Sequence, residues 1–359
     1  MEENMNDVVV GICPEEQKVL LPVLAPYTVL AASSVSQLLS LLDIHRDVLF
    51  VVAMPDYLGV GSKELTREVK RKLPNLPLLL IENDETTSFG KDYFNYGVVD
   101  FLEYPATAEA FSRKIEVYVL FNARLESLAG GCLICTEKNH LAVDDQLVER
   151  IVRVLQVNNE ELETHMKRTS LMMQVLANQV ASQHIPGYEL TSRQLEAMVK
   201  MAPLHDIGKS CIPPELLNKP GRLTNDEFEE VKLHVICGAA MMQRHKPRTA
   251  ECQMMQETAN SIILCHHEKY DGTGYPYHLR KEEIPLPGRL MAVIDVYDAL
   301  TSERPYKHAY PHKQAVHILL SGKGTHFDPT LINVFLTVQE KIHETSEDYH
   351  SLEKSDQYY

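Results

Sequence analysis

Short, continuous runs of β-branched and aliphatic residues punctuate the first third of the chain: Val8 to Ile12, Thr28 to Ala32, Val48 to Ala53, Leu78 to Ile81 and Val98 to Leu102. Stretches of helix length separate them. A strand with one wet face alternates apolar and polar residues, whereas a strand covered on both faces is apolar throughout, so the pattern predicts a parallel sheet between layers of helices. The first domain is expected to be a doubly wound α/β unit over residues 1–125, closing with a helix that starts at Thr107, a favourable N-cap, and runs to Leu125. Gly130 and Gly131 then interrupt the helical period, which places a linker at 126–145.

From Asp144 onward the period is that of helices, with Leu147, Ile151, Val154 and Leu155 on one stripe. Prolines and glycines break the helices at Pro213 and Pro214, Pro220 and Gly221, Asp271 to Pro276, and Pro285 to Gly288. The expected organisation is therefore multi-domain: the α/β unit, then an all-α bundle over 146–343. The polar stretch 344–359 is expected to fray.

Composition narrows the classes of function. A chain of 359 residues with 44% hydrophobic and 24% charged side chains can bury two cores of ordinary size, ~100–200 residues each. Lys and Arg number 35 against 50 for Asp and Glu, and a net charge of -15 argues against binding to nucleic acid polymers or anionic membranes. Any phosphate ligand must meet local positive charge. The apolar runs at Val48 to Met54 and Leu76 to Ile81 are far shorter than the ~20 residues that span a bilayer, and Glu2 and Glu3 stand where a signal peptide would be basic. The protein is read as cytoplasmic. Seven cysteines, an odd number, suit reduced thiols, and Cys132 and Cys135 form a CxxC with no second pair to complete a zinc site.

Sixteen histidines are unevenly placed, several beside carboxylates. His205 and Asp206 lie in Leu204-His-Asp-Ile-Gly-Lys209, where an imidazole nitrogen and a carboxylate suit a borderline metal and the two carboxylate oxygens can bridge a pair of ions. Alone, such a pair also describes a polar helix end with a solvated Lys209. His266 and His267 precede Glu268; helical neighbours point ~100° apart, so consecutive imidazoles can serve different ions of one cluster. Glu161 and His165, four residues apart, share a helical face, and His234 and Asp295 complete the set.

Taken in order, these residues resemble the HD-GYP family of cyclic dinucleotide phosphodiesterases. The resemblance runs from about residue 145 to 340 through Glu161-x3-His165-x2-Arg168, HDIGK (205–209), KPG (219–221), His234 with Gly238, HHE (266–268), DGTGYP (271–276), DVYDAL (295–300), RPYK (304–307) and FDP (327–329). It implies that Glu161, His165, His205, Asp206, His234, His266, His267 and Asp295 are metal ligands for two or three transition metal ions, iron or manganese, with Glu161 favouring the three-metal form. Two ions ~3.5–4 Å apart activate water and stabilise the entering and leaving oxygens of an in-line displacement. Asp206 is placed to bridge them, and Lys209 is the candidate to neutralise developing charge or protonate the leaving 3′ oxygen. Tyr275 and Gly274 of DGTGYP, with Arg304 and Lys307, are the implied substrate contacts, the glycine permitting close approach and the arginine fork suiting phosphate or guanine. Departures from the family pattern, Pro214, Ile294 and a longer 241–260 stretch, touch no ligand position.

The first domain resembles a response-regulator receiver without its chemistry. Aligning Met54-Pro55 with the receiver's Met-Pro puts Val51 at the phosphoacceptor position, Glu82 at the hydroxyl position and Tyr104 where a lysine is required; Cys13 and Pro14 follow the first strand, with Glu15 and Glu16 offset. No aspartyl phosphate can form on Val51. This pseudo-receiver is expected to serve dimerisation or docking of signalling partners. Three functions remain in view: hydrolysis of cyclic di-GMP to pGpG and on to GMP, sensing of the dinucleotide without turnover, and hydrolysis of another nucleotide. A complete ligand set with Lys209 favours the first, because a sensor needs no metal cluster.

Overall fold

The computed structural model describes residues 7–45, 48–73, 76–82, 99–127, 160–243, 249–302 and 308–356. The chain forms two compact units, one of Met1–Gly130 with Gly208–Arg244 and one of Gly131–Ile207 with His245–Tyr359.

In the first unit, strands β1 (Asp7–Gly11), β2 (Thr28–Ala31), β3 (Phe50–Ala53), β4 (Leu78–Glu82) and β5 (Val99–Glu103) form one sheet in the order β2-β1-β3-β4-β5, all pairs parallel. Every apolar run picked out from the sequence supplies a strand. The central strand β3 is buried at all four positions, which is why it reads as uninterrupted Phe-Val-Val-Ala. It begins two residues later than Val48, although the Leu49 amide already donates to the Asp7 carbonyl at 2.9 Å.

The helices of this unit show why they form where they do. Helix α1 (Pro14–Leu20) starts on a proline, whose missing amide proton costs nothing in a first turn, and it buries Leu20. Ser34 caps α2 (Val35–Ile44), its hydroxyl accepting from the Gln37 amide, and Leu38 and Leu42 face the sheet. Helix α3 (Ser62–Lys72) buries Leu65 and Val69, one turn apart. Thr107 caps α4 (Ala108–Ser127) as its residue type predicts, with the Ala110 amide donating to its hydroxyl at 3.2 Å, and Phe111, Ile115 and Tyr118 form the buried stripe. Tyr118 meets Phe50 with ring centroids 6.0 Å apart. Helix α7 (Asn225–Gln243) belongs to this unit as well: Arg113 of α4 pairs with Asp226 at 3.0 Å.

At the receiver-like positions, Val51 is wholly buried and paired with Val9 and Leu78, Glu82 ends β4, and the Tyr104 amide donates to the Glu82 carbonyl at 2.8 Å. Glu16 lies in the first turn of α1, buried, and that burial raises its pKa.

The second unit is helical: α5 (Glu160–Ser182), α6 (Ser192–Met201), α8 (Ala250–Cys265), α9 (Leu286–Thr301), α10 (His312–Ser321) and α11 (Pro329–Asp356). Met166, Met173, Leu176, Ala177 and Val180 line the buried side of α5, against which α11 packs. Thr191 and Gln194 form a reciprocal capping box at the start of α6. Residues 128–145 of the expected linker and the Leu147 to Leu155 stripe lie outside the described residues, as do Cys132 and Cys135, whereas Glu126 and Ser127 belong to α4. The stretch from Glu344, expected to fray, is helical to Asp356, because Ile342 and Ser346 stay buried and hold that turn against the core. Among the described residues no helix is long and apolar enough to cross a membrane.

Candidate metal centre

Helix α6 ends at Met201, and His205 and Asp206 sit between two tight 3-10 turns, Ala202–Leu204 and Ile207–Cys211. The polar helix end that the pair could describe is here a pair of 3-10 turns, and the tighter backbone follows from packing. A Cβ on Gly208 would lie 1.8 Å from the His234 carbonyl oxygen, so only glycine lets this segment approach the backbone of α7.

Two groups of side chains gather their ligand atoms within 4.8 Å of one another: His165, His205 and Asp295, and Asp206, His234, His266 and His267. In the first, the Nε2 atoms of His165 and His205 face each other at 3.1 Å. In the second, the His266 and His267 rings lie 3.9 Å apart at 42°, in the turn that follows α8 and not inside a helix as the sequence suggested. Asp206 turns one oxygen to each group: Oδ2 lies 3.3 Å from His205 Nε2, and Oδ1 lies 3.8 Å from His266 Nε2.

Tautomers decide whether these groups fit a metal. His165 donates from Nδ1 to Asp298 Oδ2 at 2.6 Å, His205 to the Ala202 carbonyl at 3.0 Å, His234 to the Val231 carbonyl at 2.8 Å, and His266 to the Ile262 and Ile263 carbonyls at 3.1 and 3.0 Å. Oxygens that can only accept fix the proton on Nδ1 and leave the Nε2 lone pair for the site. Two Nε2 atoms at 3.1 Å need a cation between them, a shared proton or a metal ion. Nitrogen and carboxylate donors oriented in this way are those a borderline divalent metal takes, so the residues fit.

The field of the site also favours positive charge. Burial works against a charged His205, but Asp206 and Asp295 outweigh it and bring its pKa up to about 10. Burial likewise opposes ionised Asp295, and His205 overcomes it to hold that carboxyl well below the usual carboxylate range.

Behind these candidate ligands stands a layer to which the sequence assigned no role. Asp298, 1% exposed, accepts from His165 and takes a two-pronged grip from Arg168, Nε to Oδ1 at 2.7 Å and an Nη to Oδ2 at 2.9 Å. Arg168 donates also to Ser302 Oγ at 2.8 Å. Despite burial, His165 and Arg168 keep the Asp298 carboxyl well below its ordinary range. The signal was in the spacing: Arg168 follows His165 by three residues on α5, and Asp298 follows Asp295 by three on α9. Glu268, also buried, accepts from the Tyr277 amide at 2.7 Å and the Leu279 amide at 3.1 Å, and its burial pushes its pKa up to about 7 against the pull of those amides.

Among the proposed substrate contacts, Tyr275 stacks on His267 with centroids 4.9 Å apart and donates its amide to the His267 carbonyl, so its ring steadies that imidazole. Gly274 is required by the chain itself: a Cβ there would lie 2.2 Å from the Lys269 nitrogen. Lys209, partly buried, shares the 3-10 turn that follows Asp206. Arg304 and Lys307 lie outside the described residues, as does the side chain of Glu161 on α5. FDP has a structural role, Asp328 pairing with buried Arg289 at 2.5 Å, accepting from Tyr188 at 2.9 Å and capping α11 through the Thr330 amide.

The HD-domain family model, described as "HD domain", matches residues 145–331, just over half of the chain. A probable cyclic di-GMP phosphodiesterase of Vibrio cholerae is 30% identical over 312 residues, 82% of this chain and 68% of that protein. A cyclic di-GMP phosphodiesterase of the same organism is 40% identical over 231 residues, 63% of this chain and 45% of its own length. A 3′3′-cGAMP-specific phosphodiesterase, also from Vibrio cholerae, is 28% identical over 338 residues, 85% of this chain and 60% of that protein. The chain thus spans between about half and two thirds of the length of these relatives. With its paired His and Asp groups and five-stranded parallel sheet, the chain belongs to the HD-GYP-like HD-domain family of cyclic di-GMP phosphodiesterases, here joined to an N-terminal α/β domain.

Proposed function

We propose that this chain hydrolyses cyclic di-GMP by in-line displacement at phosphorus, water adding as the P–O3′ bond breaks, to give linear pGpG and then GMP. The observation that carries this reading is Asp206, whose two oxygens face the two donor groups. When bound, two or three ions, iron or manganese, would supply Lewis acidity and bring the pKa of water toward neutrality. The ligands would be Asp206, Asp295 and the Nε2 atoms of His165, His205, His234 and His266, with His267 and Glu161. The protein's own part is orientation: carbonyl and carboxylate partners fix the ring tautomers, and Asp298 with Arg168 holds His165. Lys209 neutralises charge on the transferring phosphoryl group or gives a proton to O3′. Arg304, Lys307 and Tyr275 bind the dinucleotide. The N-terminal domain serves assembly into a homodimer and contact with signalling partners, which light scattering of the full-length protein tests directly.

The deciding experiment is chromatography of products after anaerobic incubation of the iron- or manganese-loaded protein with cyclic di-GMP and, because one relative is named for 3′3′-cGAMP, with that dinucleotide in parallel. Linear product from cyclic di-GMP supports the reading. Binding without any linear product replaces it with a sensor.

A further inference from the structure

Lys269 and His326 have no part in the site described above, yet they meet at the edge of the Asp271 to Pro276 loop. The turn from Gly322 to Phe327 is clamped to the start of that loop by two backbone bonds, Tyr270 amide to His326 carbonyl at 3.1 Å and Asp271 amide to Thr325 carbonyl at 2.9 Å. Inside the turn, the amides of His326 and Phe327 both donate to the Gly322 carbonyl, at 2.9 and 3.0 Å. The His326 imidazole stacks on buried Phe327, centroids 4.1 Å apart and planes 12° apart. Backbone and ring plane are therefore both fixed. Even so, the imidazole makes no hydrogen bond and Lys269 no ion pair among the described residues.

The His326 ring is partly buried beside Lys269, and its role as a donor does not depend on its charge. An imidazole keeps at least one N–H to donate in either protonation state. The turn is bonded to the start of the same loop whose Tyr275 stacks on His267, and Lys269 follows His267 by two residues, which puts the pair at the margin of the second donor group. In a chain of net charge -15, a fixed cation next to an unused donor is a local attraction for an anion.

A cyclic dinucleotide carries two phosphodiesters, and a metal centre addresses one at a time. We propose that Lys269 and His326 bind the phosphodiester that is not being cleaved, Lys269 supplying charge and His326 an N–H directed at a non-bridging oxygen. The assignment rests on the hydrolytic reading above and extends it: the pair selects ring dinucleotides over simple phosphodiesters.

The test compares full-length, metal-loaded proteins on cyclic di-GMP and on bis(p-nitrophenyl) phosphate, which has a single phosphodiester. Lys269→Met and His326→Phe are each expected to lower kcat/KM on the dinucleotide about tenfold more than on the small diester, mainly through KM. His326→Gln, which keeps an N–H donor, should recover most of the loss. Calorimetric Kd values for cyclic di-GMP with chelator-treated proteins should weaken in parallel, a readout independent of turnover. Equal losses on both substrates, or no recovery by glutamine, would overturn the assignment. If wild-type protein binds the dinucleotide without cleaving it, hydrolysis fails as a reading, and the Kd shifts still decide this one. If wild-type protein binds no cyclic dinucleotide, both fail together.

Discussion

Asp298 offers the sharpest way to ask whether residues behind the ligands set the metal centre. Its carboxylate is 1% exposed and joins His165 on one side to Arg168, 3% exposed at its side chain, on the other. Asp298→Ala leaves a buried guanidinium without its counter-ion, and breaking such a pair from one side costs about 3–5 kcal/mol. Set against a total stability of about 5–15 kcal/mol, the variant should fold but melt about 10 °C lower or more. Asp298→Asn keeps the shape and one acceptor oxygen while losing the charge, so it should melt between alanine and wild type. Losing the carboxylate charge that orients and polarises His165 should weaken metal binding about 10- to 100-fold in either variant. Thermal unfolding in chelator reads the ion pair without metal, and competition against a fluorescent chelator reads metal affinity on folded protein. An Asp298→Asn protein that melts low yet holds metal with wild-type affinity would refute the orienting role and leave Asp298 as a structural anion only.

Gly208→Ala should move the urea midpoint down by the equivalent of at least about 2 kcal/mol, because the added Cβ meets backbone atoms, the His234 carbonyl oxygen and the Gly238 nitrogen, that cannot rotate aside; an unmoved midpoint would contradict the packing. Burial first, then Glu116, pushes Glu230 up to about 7, with Arg113 opposing. A carboxyl with a raised folded-state pKa favours folding in its neutral form, so its contribution is present in acid and is lost as pH climbs from about 4.5 to about 7. Glu230→Gln should therefore match the wild-type Tm at pH 4.5 and exceed it at pH 8, and equal differences at both pH values would reject the argument. Acetyl phosphate should leave no acyl phosphate on residues 1–125, since Val51 offers only a buried alkyl group; a stable adduct found by mass spectrometry would show that another carboxylate accepts it.

The sheet was legible because a strand covered on both faces has no polar phase to lose, and Phe50 to Ala53 or Leu78 to Ile81 read as strands from apolar continuity alone. Thr107 marked a helix start by its hydroxyl. The paired histidines and Asp206 were legible by spacing in the order that a known family uses. What the sequence hid was the environment of ordinary charges. Asp298, Arg168 and Glu268 resemble solvated residues of helix surfaces or ends until tertiary packing encloses them, and no local period reports that enclosure. The 3-10 geometry around His205 was hidden for the same reason, since it depends on Gly208 meeting the backbone of His234, far along the chain, rather than on local propensity. The helical continuation past Glu344 needed knowledge of what Ile342 and Ser346 would touch.

Glu268 binds the amides of Tyr277 and Leu279 at the residue directly after the His266 and His267 pair, and Tyr275 lies flat on His267. The Asp271 to Pro276 loop is thereby riveted to the imidazoles, and it cannot swing open without disturbing them. It should act as a standing wall that a ligand slides along, not a door that shuts behind it. Amide hydrogens of Tyr277 and Leu279 should then exchange with solvent only when the surrounding helices open, at a rate that bound nucleotide barely alters. The ordering entropy of this wall is met when the protein folds, so none of it is charged against the affinity of whatever binds there.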